Sequence, residues 1–358
     1  MTQPPPPDDA TDPTSIPGLP DGWTSRVPQL DDVPELARLR GADKEPWTGS
    51  ASVDRDVLES EVAGAMSWTR RQVVLLDPEG RIRGWVVVHD RAAGRTMLHV
   101  YVDRSLEDAA VRRSVAAAAY GFVEASAVAI CALREIDETR LDASPFADDT
   151  EQRGWLSEAG YGKQRTWLQM TRPVEPGESF PGPREGVTIR RVESHDNGLP
   201  LAADLQTVHE MLEKSFQDHF NSYRESFPEF VQRLREDPGH RWDHWWLAFV
   251  DVDGVPEPAG ALVSTVLPPN AAGREGSYID YIGVHRLARG KGVAKSLLNT
   301  VIADAAERGR DRVGLEVDDD SPTGANGLYT SMGWVTDYVT ESWFKQLRVR
   351  EHAAGELA

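Results

Sequence analysis

The sequence predicts an α/β chain made of two copies of one fold in tandem. At 358 residues it is too long for one typical compact domain. A stretch from Thr171 to Gly186 with Pro173, Pro176, Pro181 and Pro183 reads as a linker near its middle. On each side of that stretch one order of elements recurs: strand, helix, helix, three strands, helix, strand, helix, strand. That is an internal repeat of whole-domain size.

Residues 1–22 are rich in Pro, Asp and Gly and read as a disordered tail. The first domain is expected over 23–171. Thr24 to Gln29 opens it as a short strand. Asp31 or Asp32 can cap a helix from Val33 to Arg40, with Pro34 tolerated in its first turn. A second helix is expected over Ser52–Ala65. The β-branched runs Arg71–Leu76 and Arg81–His89 flank a Pro-Glu-Gly turn and predict a hairpin, and Met97–Val102 a further strand. Leu106–Ala125 is alanine-rich and predicts a helix. Cys131–Ile136 is expected to begin a strand, Glu151–Ala159 to form a helix, and Gln164–Met170 to close the set.

With 172–186 as linker, the second domain is expected over 187–348, followed by a polar tail at 349–358. Val187–Val192 reads as a strand. Asp204–Gln217 is a helix with apolar Leu205, Val208, Met211 and Leu212 at helical spacing, and Phe227–Leu234 a second. Trp245–Val252 and Pro258–Val266 predict a strand pair around Asp253-Gly254. Then comes Tyr-Ile-Asp-Tyr-Ile-Gly-Val, 278–284, which is strand-like. A basic loop with Gly290 and Gly292 leads into a helix with Leu297, Leu298, Val301, Ile302 and Ala305 on one face. Strand Val313–Val317, a short helix around Tyr329 and strand Glu341–Leu347 finish it.

The strand, glycine loop and helix at 278–305 are an anion site in outline. A helix start offers unpaired N–H groups and the positive end of the helix dipole. Glycines admit a close approach to the backbone, and Arg289 and Lys291 add charge. No third glycine stands where a dinucleotide fingerprint needs one, and no Gly-Lys-Ser/Thr closes a nucleotide-triphosphate loop.

Arg289-Gly-Lys-Gly292-Val-Ala294 resembles the Arg/Gln-x-x-Gly-x-Gly/Ala signature of the GNAT acetyltransferase superfamily. Leu328-Tyr-Thr-Ser-Met-Gly-Trp334 is similar to that family's closing helix, Leu-Tyr-x-x-x-Gly-Phe/Trp. The resemblance implies two GNAT folds, each a mixed, mostly antiparallel sheet flanked by helices, and acetyl-CoA as co-substrate. It implies that Arg289, Gly290, Lys291, Gly292, Val293, Ala294 and Lys295 hold the CoA pyrophosphate and that Val284 meets the pantetheine arm. It also implies that the Ile282 amide, freed by a splayed, bulged strand, meets the acetyl carbonyl. Tyr329 would protonate the departing thiolate. Ser321 stands where many members carry an asparagine that contacts CoA.

Aligning the halves exposes an asymmetry. Val102 and Val284 both end their strands, an offset of 284 − 102 = 182. Arg289 then falls on Glu107, Gly292 on Ala110 and Ala294 on Arg112. Gly160 and Gly333 match at 333 − 160 = 173, which puts Leu156 opposite Tyr329. The first half is therefore expected to be degenerate, without acetyl transfer. The two-domain plan with one inactive half resembles mycothiol synthase and its relatives.

Transfer to an amine needs a base. Where the family often has a strand glutamate, this chain has Tyr278. Asp280, two residues on, is the first candidate base, acting directly or through water. His219, beside Asp218, is the second, and it is also a candidate contact to the acceptor. The second half is longer between first strand and signature, 289 − 187 = 102 residues against 107 − 24 = 83, and acceptor specificity is expected in that extra length around Asp218–Phe230. Trp242, Trp245, Trp246 and Trp343 are candidates for an apolar acceptor wall or for core.

The formal net charge of −19 disfavours nucleic acid as a partner and requires the anion site to be locally basic, as Arg286, Arg289, Lys291 and Lys295 make it. No long apolar run suggests a membrane span. The opening residues lack a basic and an apolar segment, and the single Cys131 fits a reducing, cytoplasmic setting. No metal-ligand spacing stands out, and His240-Arg-Trp-Asp-His244 after Pro238-Gly239 reads as a surface segment. The expected reaction is acetyl transfer from acetyl-CoA to a small-molecule amine, by a monomer whose two domains form a pseudo-dimer. The alternatives are a protein amino group as acceptor, or a non-catalytic acyl-CoA-binding sensor or scaffold.

Overall fold

The computed structural model of the chain describes residues 16–91, 94–216, 225–270, 272–320 and 324–349. They fall into two compact units, residues up to 164 with 342 onward, and residues 165–341.

The first unit runs β1 (Thr24–Arg26), α1 (Val33–Thr48), α2 (Arg55–Ala63), β2 (Arg70–Leu76), β3 (Ile82–Arg91), β4 (Arg95–Val102), α3 (Ala109–Arg134), β5 (Glu138–Ala143) and α4 (Thr150–Glu158). β1 to β4 pair antiparallel in sequence order, and β4 pairs parallel to β5. Alternation along the strands sorts the core. Val86, Val88, Leu98 and Val100 face α3, while Val74, Trp85 and Val87 face α1 and α2. Asp54 caps α2 by accepting from the amides of Asp56 and Val57.

β6 (Gly162–Pro173) leads into the second unit. This contains β7 (Val187–Arg191), α5 (Ala202–Phe216), α6 (Phe227–Arg235), β8 (His240–Val252), β9 (Val255–Leu267), β10 (Gly276–Val284), α7 (Val293–Glu307), β11 (Arg312–Asp318), α8 (Ala325–Ser331) and the first half of β12 (Val335–Arg348), up to Glu341. The sheet repeats the plan, with β7 to β10 antiparallel and β10 parallel to β11. Leu262, Ile279, Leu297 and Val301 pack on the α7 side. Val208, Leu212, Phe230, Trp245 and Val263 pack on the α5 and α6 side.

The final strands differ from the sequence-expected boundaries. In the second unit β11 pairs with β6, from Arg312 opposite Pro173 to Asp318 opposite Trp167. In the first unit β5 pairs with the end of β12, from Trp343 opposite Ala143 to Arg348 opposite Glu138. Boundaries at 171 and 187 would give both strands to the opposite unit. Sequence order cannot show this, because a strand carries the same alternating pattern whichever neighbour it joins.

Four local expectations change. Cys131 is not in a strand; α3 continues to Arg134, because Val123, Ala127, Ile130 and Cys131 keep its buried face going, and Glu135 ends it in the left-handed region at φ 55°. α3 is long and apolar enough to cross a bilayer, yet that face forms core. The proline-rich stretch is not a free linker, since Val174 is buried, Glu178 pairs with Arg172 and Phe180 packs on the second unit's core. His240–His244 is the start of β8, and His244 is 1% exposed. Trp343 belongs to the first unit's core, which removes it from any acceptor wall in the second.

Candidate functional site

The parallel pairing of β10 with β11 is short. It runs from Ser277 opposite Val313 to Ile279 opposite Leu315. β10 continues to Val284 against β9 alone, so the two parallel strands splay after Ile279. The register with β9 also slips there. Ile279 faces Ser264 and Tyr281 faces Val263, which leaves Asp280 as the extra residue of a β-bulge. Beyond the bulge the His285 N–H donates to Ala259 O at 2.8 Å. Counting back by twos directs the Gly283 and Tyr281 amides to β9. The Ile282 and Val284 amides then point to the edge that β11 has left.

That open edge leads into the basic loop. Gly290 and Gly292 take φ of 80° and 82°, a conformation that favours glycine. Gly292 is the N-cap of α7 and offers no side chain to the helix start. The first intrahelical bond is Ser296 N–H to Gly292 O at 3.0 Å, so the amides of Val293, Ala294 and Lys295 precede it without a helical partner. Arg289 and Lys291 are exposed, as are Arg286 and Lys295, and none of the four has an ion-pair partner among the described residues. Unpaired amides, a helix dipole and uncompensated cations together fit a diphosphate. A fifth cation, Arg184, joins them from the stretch before β7, which sequence reasoning does not connect to this loop. A Cβ on Gly292 would stand 3.1 Å from its Cδ and Nε.

Tyr329 lies in the same core cluster as Val293, with Ile282 and Val284 packed against it. Its ring meets Trp334 edge-on at 5.8 Å, and burial pushes its hydroxyl up to about 12, so it stays protonated across the physiological range. The hydroxyl makes no hydrogen bond among the described residues.

The bulge puts Asp280 and Tyr281 in succession on the α5 and α6 face. Asp280 Oδ2 is covered and has no hydrogen-bond partner. Burial first and the Asp237 carboxylate second raise this carboxyl to about 7, against the Thr265 hydroxyl and the Arg233 guanidinium, which pull it down. Arg233 is itself committed to Glu225, at 2.8 and 2.7 Å, and lies over the Tyr281 ring at 5.4 Å. Tyr278, beside Gly314 on the neighbouring strand, is pushed well up by burial and then by Glu316 and Asp280. Three carboxylates, Asp237, Asp280 and Glu316, thus share this end of the cleft with phenols. The expected Trp wall is mostly core: Trp245 and Trp246 are buried, and Trp242, half-buried, meets His240 at 4.4 Å. His219, Asp218 and Ser321 lie outside the described residues.

Behind the bulged strand a buried network holds the frame. Arg310 donates to His244 Nε2 at 2.7 Å and to Ser277 Oγ at 2.9 Å. Because arginine can only donate, His244 carries its proton on Nδ1 and gives it to Asp243 at 2.6 Å. This fixes Ser277, three residues before Asp280.

The first unit supplies the contrast. Its parallel pairs start at Arg95 opposite Arg140, against Ser277 opposite Val313, which gives 277 − 95 = 182 and 313 − 140 = 173. Both sequence offsets are therefore the offsets of the sheet. β4 and β5 splay in the same way after Met97, but β3 and β4 keep an unbroken register without a bulge. Asp108 caps α3, its carboxylate accepting from the Ala110 amide at 2.8 Å. Arg112 folds back to donate to Leu106 O and pairs with Glu151. Gln152 reaches Val100 O at 3.3 Å on the splayed edge, and buried Leu156 occupies the tyrosine position. A cavity of about 240 Å³ remains, with Leu98, Tyr120, Phe146, Arg40 and Lys44 in its walls.

Residues 205–334, from α5 to Trp334, match the acetyltransferase (GNAT) family. The second unit carries a GNAT domain. Solved structures extend the likeness in fold to both units. A GCN5-related N-acetyltransferase from Sphaerobacter thermophilus superposes with a TM-score of 0.68 at 22% identity, over 92% of this chain and 97% of that one. A tandem GNAT protein from the clavulanic acid biosynthesis pathway reaches 0.63 at 12% identity, over 91% and 98%. A glucosamine N-acetyltransferase region of a fungal multi-domain GH3 β-N-acetylglucosaminidase reaches 0.62 at 12%, over 90% of this chain and 38% of that one. The chain is a tandem of two GNAT folds. No curated protein matches it in sequence.

Proposed function

We propose that this chain transfers an acetyl group from acetyl-CoA to a primary amine of a small cationic molecule, and that only the second unit is active. One observation carries the reading. A strand that splays from its neighbour bears a buried carboxyl with one unpartnered oxygen at its bulge and runs into an uncapped, glycine-lined, cationic helix start. Acetyl-CoA would supply the activated thioester. Arg289, Lys291 and the α7 amides would hold its diphosphate, and Val284 its pantetheine arm. Asp280 takes the proton from the attacking amine, directly or through water. The Ile282 amide donates to the carbonyl oxygen as charge develops there, and Tyr329 gives its proton to the departing sulfur. The carboxylates around Asp280 favour a cationic acceptor. The Asp108 cap supports an inactive first unit, because a carboxylate at a helix start repels phosphate, and Arg112 nearby is already committed to Leu106 O and Glu151.

Calorimetric titration of acetyl-CoA tests this beside a Gly292→Glu variant, followed by thiol-release assays over a panel of cationic and neutral amines. One site, lost in the variant, and release with a cationic amine are expected. Two sites would overturn the account of the first unit. Binding without release on any amine would leave a sensor or scaffold, and no binding would sink the acetyltransferase reading.

A further inference from the structure

The stretch between β6 and β7 is fastened along the second unit. Val174 N–H donates to Asp311 O at 2.9 Å. Glu178 forms a bidentate pair with Arg172, whose Nε also holds Met332 O at 2.8 Å. Phe180 packs on the core, and the Arg172 guanidinium lies over both its ring and that of Trp334. At the far end Asp251 N–H donates to Gly186 O at 2.8 Å, and Val187 N–H closes a turn on Arg184 O at 3.0 Å. Held at both ends, the strap brings Arg184 onto Gly292. A Cβ there would stand 3.1 Å from its Nε and 3.5 Å from its Cζ. Arg184 is exposed and has no ion-pair or hydrogen-bond partner for its guanidinium among the described residues. The Arg184 side chain thus lies against the left-handed glycine that N-caps α7, next to a helix start whose first amides have no helical partner.

We propose that Arg184, delivered by the strap, is a diphosphate-binding residue of the co-substrate site and clamps the CoA pyrophosphate from the side opposite the α7 amides. This rests on the acetyl-CoA reading of that site. An arginine suits the task because its fork can bridge two phosphate oxygens. It lies outside the loop motif, so its contribution is particular to the path this chain takes between its repeats.

The test is calorimetry on the full chain with four probes: acetyl-CoA, CoA, dephospho-CoA and pantetheine. Wild type, Arg184→Ala and Arg184→Lys are compared. Loss of a charge-assisted contact is expected to weaken binding of the three diphosphate probes by about ten- to a hundredfold in Arg184→Ala. Pantetheine binding should be unchanged, the lysine variant intermediate, and the melting temperature unaltered. Equal affinities in wild type and Arg184→Ala would overturn the proposal. So would a loss for CoA that dephospho-CoA does not share, since that would assign Arg184 to the 3′-phosphate. If wild type binds none of the diphosphate probes, the acetyl-CoA reading itself fails, which is a different result from wild-type binding that ignores Arg184.

Discussion

Asp280 carries two predictions that separate chemistry from stability. As base it must be ionised, so activity should rise with pH through about 7, where burial has placed its carboxyl. Asp280→Asn should remove that limb and lower kcat/KM by about 10²- to 10⁴-fold, while acetyl-CoA affinity holds. The folded carboxyl binds its proton more tightly than an unfolded aspartate near 3.9. Stability therefore falls as pH rises from about 4 to 7, and the full penalty stands above that. Relative to wild type, Asp280→Asn should show little gain in melting temperature at pH 4 and a gain of a few degrees at pH 8; equal gains at both would deny the buried, proton-retaining state. Tyr329→Phe should lower kcat with acetyl-CoA affinity intact, read by stopped-turnover rates beside calorimetry. Asp280 was legible as a carboxylate on the right strand. Its isolation was not, because the Asp237 neighbour and the slip that aims Asp280 at α6 arise from pairing across the sheet.

At the scale of elements, the two repeats differ less in which elements they have than in how those elements start and pair. The order of strands and helices was readable from periodicity, and the offsets of 182 and 173 carried the register of both sheets. What periodicity could not show was the β10 bulge, since one extra residue in an alternating run looks like ordinary strand. It also could not show that α3 runs nine residues past Ala125, because alanine weakens the contrast between faces. Close packing here has a sharp test. A Cβ on Gly283 would stand 2.9 Å from Ser215 Cβ and Oγ, so α5 rests directly on β10. Gly283→Val should push α5 outward and lower the melting temperature by several degrees. Gly327→Ala, where a Cβ meets nothing within 4 Å, should be neutral in the same scan.

For the whole molecule, the unit of folding is not the unit of repetition. β11 takes seven partners from β6, and β5 takes six from β12, so each compact unit ends in a strand encoded beside the other. A fragment of residues 187–358, cut at the sequence repeat, would leave β11 with an open edge where β6 belongs. It should be poorly soluble and show no cooperative melt. A fragment of 165–341 keeps the second sheet whole. It should melt cooperatively by circular dichroism and retain the acetyl-CoA site; a cooperative melt of the 187–358 fragment would contradict the division.

During synthesis the same exchange sets an order of events. The first repeat leaves the ribosome early, with α3 exposing a long apolar face and β5 lacking a neighbour until Trp343–Arg348 has been translated. The amino-terminal unit is therefore finished only when those residues, some two hundred positions after β5, have been made. Through that interval the nascent chain presents a bare strand edge, and chaperone demand should follow that waiting time rather than the stability of the folded protein.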